Sequence, residues 1–178
     1  MSAITDLYKY DPGRLTLLVV LGIVFASGAI LSVNKIRLFR VTCIHTKIGV
    51  VGCVLSVYMI LVMTVLSRFD YGEYAHRILP FASYVLYAKT RSSALLIDII
   101  ENILLFMPLG ISMALIGRTK LRYLIAISVA FSLFIEVIQL ITRRGWFESD
   151  DIMHNLLGFL IGYTVMTFLL IKKKEKGS

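Results

Sequence analysis

Charge is scarce in this chain. Asp, Glu, Lys and Arg make up 17% of its 178 residues, against about 25% in an ordinary soluble domain. There are two cysteines, Cys43 and Cys53, too few for a disulfide framework; Cys43 falls in a loop and Cys53 inside an apolar run, where packing accounts for it. No compact metal spacing such as His-Glu-x-x-His occurs, and there is no recognisable nucleophile motif. Internal repeats are lacking, and the one biased stretch is the basic tail from Lys172 to Lys176. These shortages argue against a disulfide framework and a repeat protein and leave a metal site with little support.

What the chain has instead is apolar length. Hydrophobic residues reach 58%, more than a soluble core of this size can hide. A crossing of a hydrocarbon layer of roughly 30 Å takes about 20 mostly apolar residues. The runs Leu15 to Val33, Ile48 to Leu66, Ile97 to Ile116, Tyr123 to Ile141 and Ile152 to Ile171 all meet that requirement. The first is too long for a signal-peptide core and is expected to be retained. The expected fold is therefore all-α, a polytopic membrane bundle of about five transmembrane helices in one domain.

The net charge of +8 does not point to nucleic acid. Its basic residues are scattered beside helix ends and form no single patch with interleaved aromatics. Across five crossings, eight Lys and Arg fall on the side of the amino terminus and eleven on the side of the carboxyl terminus. The positive-inside tendency then places the amino terminus outside and the Lys172 to Lys176 tail in the cytoplasm.

Between the second and third runs, Ser67 to Leu96 carries Phe69, Tyr71, Tyr74, Phe81, Tyr84 and Tyr87 among basic residues. Its apolar part, Ile78 to Ala88, is too short to cross, and tyrosines suit the headgroup boundary. Pro80 is expected to interrupt any helix there. The segment reads either as an interfacial stretch or as a lid over a site.

The loop Gly117 to Arg122 is short, so the third and fourth runs are expected to form an antiparallel hairpin. Three successive crossings then bring Asp98, Glu101 and Asn102, Glu136 and Gln139, and Asp150, Asp151, His154 and Asn155 to one membrane face. At about 1.5 Å rise per residue, Glu101, Glu136 and Asn155 share one shallow layer.

Ionisable groups in a span are costly and normally face partners or water. Glu136 and Gln139, one turn apart, either form a functional site or hold helices together. Asp151 and Asn155 continue into a stripe with Gly158 and Gly162, whose missing side chains permit close helix approach. Asp150 and Asp151 also stand where helix capping favours carboxylates. Pro108 and Gly110 are expected to bend the third helix. Arg77, Arg143 and Arg144 could neutralise the carboxylates or meet an anionic ligand, or be solvated. His154 with Asp150 and Glu101 is a weak candidate metal set.

The runs Asn102-Ile-Leu-Leu-Phe106-Met-Pro108-Leu-Gly110, Glu136-Val-Ile-Gln139, and Arg144-Gly-Trp-Phe147-Glu-Ser-Asp150-Asp151 leading to Asn155, Gly158 and Gly162 together resemble the VanZ-like family of bacterial membrane proteins. The resemblance covers roughly Arg77 to Ile171. Leu79-Pro80-Phe81 is similar to the family's Pro-Phe element, although Arg77 stands where many relatives carry Asn. It implies a bacterial plasma-membrane location and an association with resistance to glycopeptide antibiotics, teicoplanin in particular. The polar layer makes Glu101, Asn102, Glu136, Gln139, Asp151, Asn155 and Arg144 the candidate binding residues; the resemblance itself carries over to Asn102, Pro108, Gly110, Glu136, Gln139, Asp151, Asn155 and Gly158. The expected partners are membrane lipids and a lipid-linked cell-wall precursor or glycopeptide; no cofactor is expected. An intramembrane acid/base enzyme and a purely structural bundle remain open beside this reading.

Overall fold

The computed structural model describes residues 44–66, 76–117 and 119–176. The apolar run Leu15 to Val33 and Cys43 lie outside the described residues. Within them, α1 (Ile44–Leu61) ends in a π-helical turn, Val62–Leu66, and is followed by a two-residue strand β1 (His76–Arg77), a short helix α2 (Ala82–Thr90) and the long helices α3 (Ser93–Ile116) and α4 (Leu121–Thr142). A second short strand, β2 (Phe147–Glu148), leads into α5 (Ser149–Lys176). Four of these helices, α1 with its π turn, α3, α4 and α5, are long and apolar enough to cross a membrane. The chain is a multi-pass membrane protein.

The helices run further than the apolar stretches that announce them. Apolar residues mark the hydrocarbon layer, whereas backbone hydrogen bonding continues into the interface. The 28 residues of α5 span about 42 Å at 1.5 Å each, well over the hydrocarbon thickness. Its last turn therefore carries Lys173, Lys174 and Lys176 clear of the apolar layer, at the end of the helix where positive charge is favoured.

The bundle is inside out relative to a soluble protein. Ile127, Phe134, Ile141, Leu157, Val165 and Phe168 are exposed, while Ser112, Ser128, Ser132, Gln139 and Asn155 are buried. Lipid is as apolar as leucine, so helix association here depends on close packing and interhelical hydrogen bonds. The tightest seam joins α3 to α5. A Cβ added at Gly158 would run into the Ile103 carbonyl, one at Gly162 into the Met107 carbonyl, and one at Gly110 into the Phe159 carbonyl. The glycine stripe is thus a condition of the approach.

Helix α3 is the centre of the bundle, flanked by α5 and α1, while α4 packs on α5 and the π turn. The core comprises Ile60, Val65, Phe106, Leu109, Leu124, Ile135 and Phe159. The short connection after Gly117 reverses the chain as expected, but α3 and α4 pack less closely on each other than either does on α5. The rings of Phe106 and Phe131 meet between them at 6.1 Å. The glycine seam explains this, because it gives α3 a closer partner in α5. Helix α3 also remains helical through Pro108, with the Ser112 hydroxyl donating to the Pro108 carbonyl at 2.7 Å.

Two departures from a pure helix bundle matter for the site. The segment before α3 folds into β1, a turn through Pro80 and α2, a helix of nine residues that is too short to cross. The strands β1 and β2 then pair in parallel, His76 with Phe147 and Arg77 with Glu148. This links the segment before α2 to the start of α5.

Candidate functional site

The site lies where α2, β2 and the first turns of α5 meet the end of α4. Asp150 is its most connected member. Its carboxylate accepts the backbone N–H of Phe81 at 2.6 Å and of Ser83 at 2.8 Å, so it caps α2, a helix other than its own. Helix amino ends leave several N–H groups without intrahelical partners, and a buried carboxylate satisfies two of them here. Phe81 sits in the left-handed region with φ 63°, uncommon for a bulky residue, and its N–H is one of the two that Asp150 holds.

Glu148 is the second junction. Its side chain pairs with Arg77 at 3.0 Å and accepts the Ser83 hydroxyl at 3.2 Å. The Arg77 guanidinium also lies over the Trp146 ring, 5.1 Å from its centroid. Burial pushes the Glu148 carboxyl above the usual glutamate range and the nearby Asp151 adds to this, against the opposing pull of Arg77 and Ser83. The backbone N–H of Glu148 donates to Glu136 Oε2 at 2.9 Å. Glu136 is therefore a brace between α4 and β2. Ser149 completes the tie by donating to the Ile78 carbonyl at 2.9 Å.

A third group involves a histidine. His154 is 1% exposed; its Nε2 lies 2.8 Å from the Tyr84 hydroxyl and its Nδ1 lies 3.7 Å from Asp151 Oδ1. The latter distance is an electrostatic contact, too long for a hydrogen bond. Deeper in the bundle, Asn155 donates to Ser132 Oγ at 2.8 Å, and Gln139 donates to the Thr64 carbonyl of the π turn at 2.9 Å. Among the described residues, His154 Nδ1, Asn155 Oδ1 and Gln139 Oε1 are buried and have no hydrogen-bond partner.

The residues singled out from sequence divide accordingly. Glu136, Gln139 and Asn155 are buried and tie helices together. Asp151 faces His154, while its neighbour Asp150 is the buried carboxylate. Glu101 is exposed and Asn102 is half-buried. Arg144 is half-buried beside the end of α4, where its N–H donates to the Gln139 carbonyl at 3.1 Å. Arg77 proves to be bound within the site. The trio His154, Asp150 and Glu101 is not assembled, and no group of three His, Cys, Asp or Glu among the described residues could hold a metal ion.

Sequence reasoning missed Glu148, Ser83 and Tyr84 as site members. Tyr84 and His154 are 70 positions apart, and no short motif links them. The aromatic, basic character of the segment before α3 was the one available signal.

No curated protein and no solved structure matches this chain. The family model described as VanZ/LLP1 matches residues 50–171. That stretch takes in α3 and α4 whole, most of α1 and α5, the Asp150 cap and the Tyr84 to His154 contact, and the chain belongs to the VanZ/LLP1 family.

Proposed function

We propose that this VanZ/LLP1 protein lowers susceptibility to glycopeptide antibiotics such as teicoplanin. On this reading its polar site faces outward from the bacterial plasma membrane and engages a lipid-linked or cell-wall component. The amino terminus is outside and the lysine-rich end of α5 is cytoplasmic. The observation that supports this reading best is the set of buried acceptors without donors, Gln139 Oε1 and Asn155 Oδ1. Leaving such a group unsatisfied costs about 1–3 kcal/mol, and a ligand that brings N–H or O–H donors would offset that cost.

The test is the teicoplanin sensitivity of cells carrying the wild-type protein, Asn155→Ala or Asp151→Asn, with membrane abundance measured in parallel. The reading requires the variants to lose protection at unchanged abundance. Equal sensitivity in wild-type and variant cells at equal abundance would overturn it. Cysteines placed at 148 and 173 and labelled from outside intact cells give the orientation, with labelling at 148 alone expected.

A structural reading holds for part of the same layer. Glu136 and Asp150 spend carboxylate oxygens on backbone N–H groups of this chain. We assign these two to holding the site's shape.

A further inference from the structure

We propose that Tyr84, His154 and Asp151 form a proton relay in which the Tyr84 hydroxyl is an activated acid/base group for a hydroxyl-bearing lipid headgroup. The proposal goes beyond the antibiotic reading and is tested without any drug. Its basis is the order in which three side chains meet. His154 is almost fully buried, yet Nδ1 lacks a hydrogen-bond partner and faces Asp151. The carboxylate favours a proton on Nδ1, which leaves Nε2 as an acceptor. Tyr84, 2.8 Å away, then donates to Nε2. A carboxylate, an imidazole and a hydroxyl in that order are the arrangement by which a weakly acidic O–H is activated.

The two ends of the array differ in access. Tyr84 is 43% exposed, on a short helix whose neighbours Leu79, Phe81 and Val85 are also exposed and apolar enough to seat it at the lipid boundary. Asp151 has a side chain 22% exposed. A substrate hydroxyl reaching Tyr84 donates a hydrogen bond to the phenolic oxygen while the phenolic O–H donates to Nε2. The array is thereby set to take up that proton as an imidazolium beside Asp151 in the step in which the substrate oxygen forms its new bond, so no free alkoxide is formed.

Charge selects the headgroup. Asp150, Asp151 and Glu148 surround this corner, Asp98 acts on Glu148 from α3, and Arg77 is already paired. A phosphate placed here meets a surplus of carboxylates. An uncharged sugar or glycerol hydroxyl does not.

Tyr84 would be the catalytic residue, and His154 and Asp151 are positioning residues acting through it. An uncharged arylsulfonyl fluoride is the probe, applied to the full-length protein in nanodiscs and read by mass spectrometry. Tyr84 passes its proton to Nε2, its oxygen bonds to sulfur, and the S–F bond breaks; fluoride leaves and the imidazolium releases its proton to water. Tyr123 is the internal comparison, being exposed and accepting a hydrogen bond from the Arg122 guanidinium instead of donating one to a histidine. Tyr84 is expected to react at least about tenfold faster than Tyr123. His154→Gln should bring it down to the Tyr123 rate. Asp151→Asn should slow it and Asp151→Glu should recover it, at unchanged Trp146 fluorescence. Equal rates at Tyr84 and Tyr123 in the wild-type protein would overturn the proposal, as would a wild-type rate in His154→Gln. Should His154→Gln fail to fold, the wild-type ratio and the Asp151 pair decide.

Discussion

The carboxylate of Asp150, at the start of α5, holds the backbone N–H of Phe81 at 2.6 Å, so the last crossing of the bundle fixes the entry to α2. The same carboxylate reaches Ser83. Helix α2 has one buried residue, Ser83, and little apolar packing to hold it. Its position depends on polar ties to β2 and α5.

Asp150→Ala should therefore release α2. The loss of a buried charged acceptor for two N–H groups is expected to lower stability by about 1–3 kcal/mol, and Asp150→Asn, which keeps one acceptor oxygen, by less. Thermal unfolding in detergent measures the first effect. Limited proteolysis between Ile78 and Thr90 should become faster in Asp150→Ala while the long helices stay intact. Equal cleavage in wild type and variant would mean that α2 is held by something other than this cap.

Gly158→Ala tests the seam between α3 and α5. The added methyl meets the Ile103 carbonyl, a backbone atom that cannot swing aside, so the helices must separate. Overpacking of this kind costs about 1–3 kcal/mol. Reduced membrane abundance and a lower unfolding temperature are expected for Gly158→Ala. Leu157→Ala, on the exposed side of the same helix, should behave as wild type.

The pH dependence of the site follows from Glu148. Its folded carboxyl is raised above the ordinary value of 4.5, so the folded state binds its proton at a higher pH than the unfolded state. The resulting stabilisation is fully present below 4.5 and is lost as pH rises through the raised folded value. Protonation also weakens the Arg77 pair. Because Trp146 is the chain's one tryptophan and lies under Arg77, its fluorescence should change at a pH above the ordinary glutamate range. Glu148→Gln should abolish that transition. A transition that persists in this variant would assign it to another group.

The long helices and the glycine seam were legible because each follows from local pattern. Apolar length marks a crossing, and the four-residue spacing of Gly158 and Gly162 puts both on one face. The polar face was legible as well, since it needed nothing beyond the direction of three crossings. The assignment within it was not. Asp150 and Asp151 are adjacent and chemically alike, and what separates them is the rotation of α5, whose Gly158 and Gly162 face α3. Sequence spacing gives the depth of Glu101 along α3, whereas its exposure depends on which face of α3 turns toward α5. Glu148 and Tyr84 enter through a parallel pairing of two residues, too short to leave a periodic signature.

The role of Glu136 separates hydrogen bonding from charge. Its Oε2 accepts the Glu148 N–H, and a glutamine in the same place still presents a carbonyl oxygen. Glu136→Gln is therefore expected to preserve the fold and, under the proposed function, the drug phenotype. Glu136→Ala leaves a half-buried N–H without its acceptor and should lose about 1–3 kcal/mol, with Trp146 fluorescence shifting as β2 comes loose. Unfolding curves and teicoplanin sensitivity of both variants give the answer. If Glu136→Gln abolishes protection at wild-type stability, the negative charge itself meets the ligand, and Glu136 moves from the framework of the site to its binding surface.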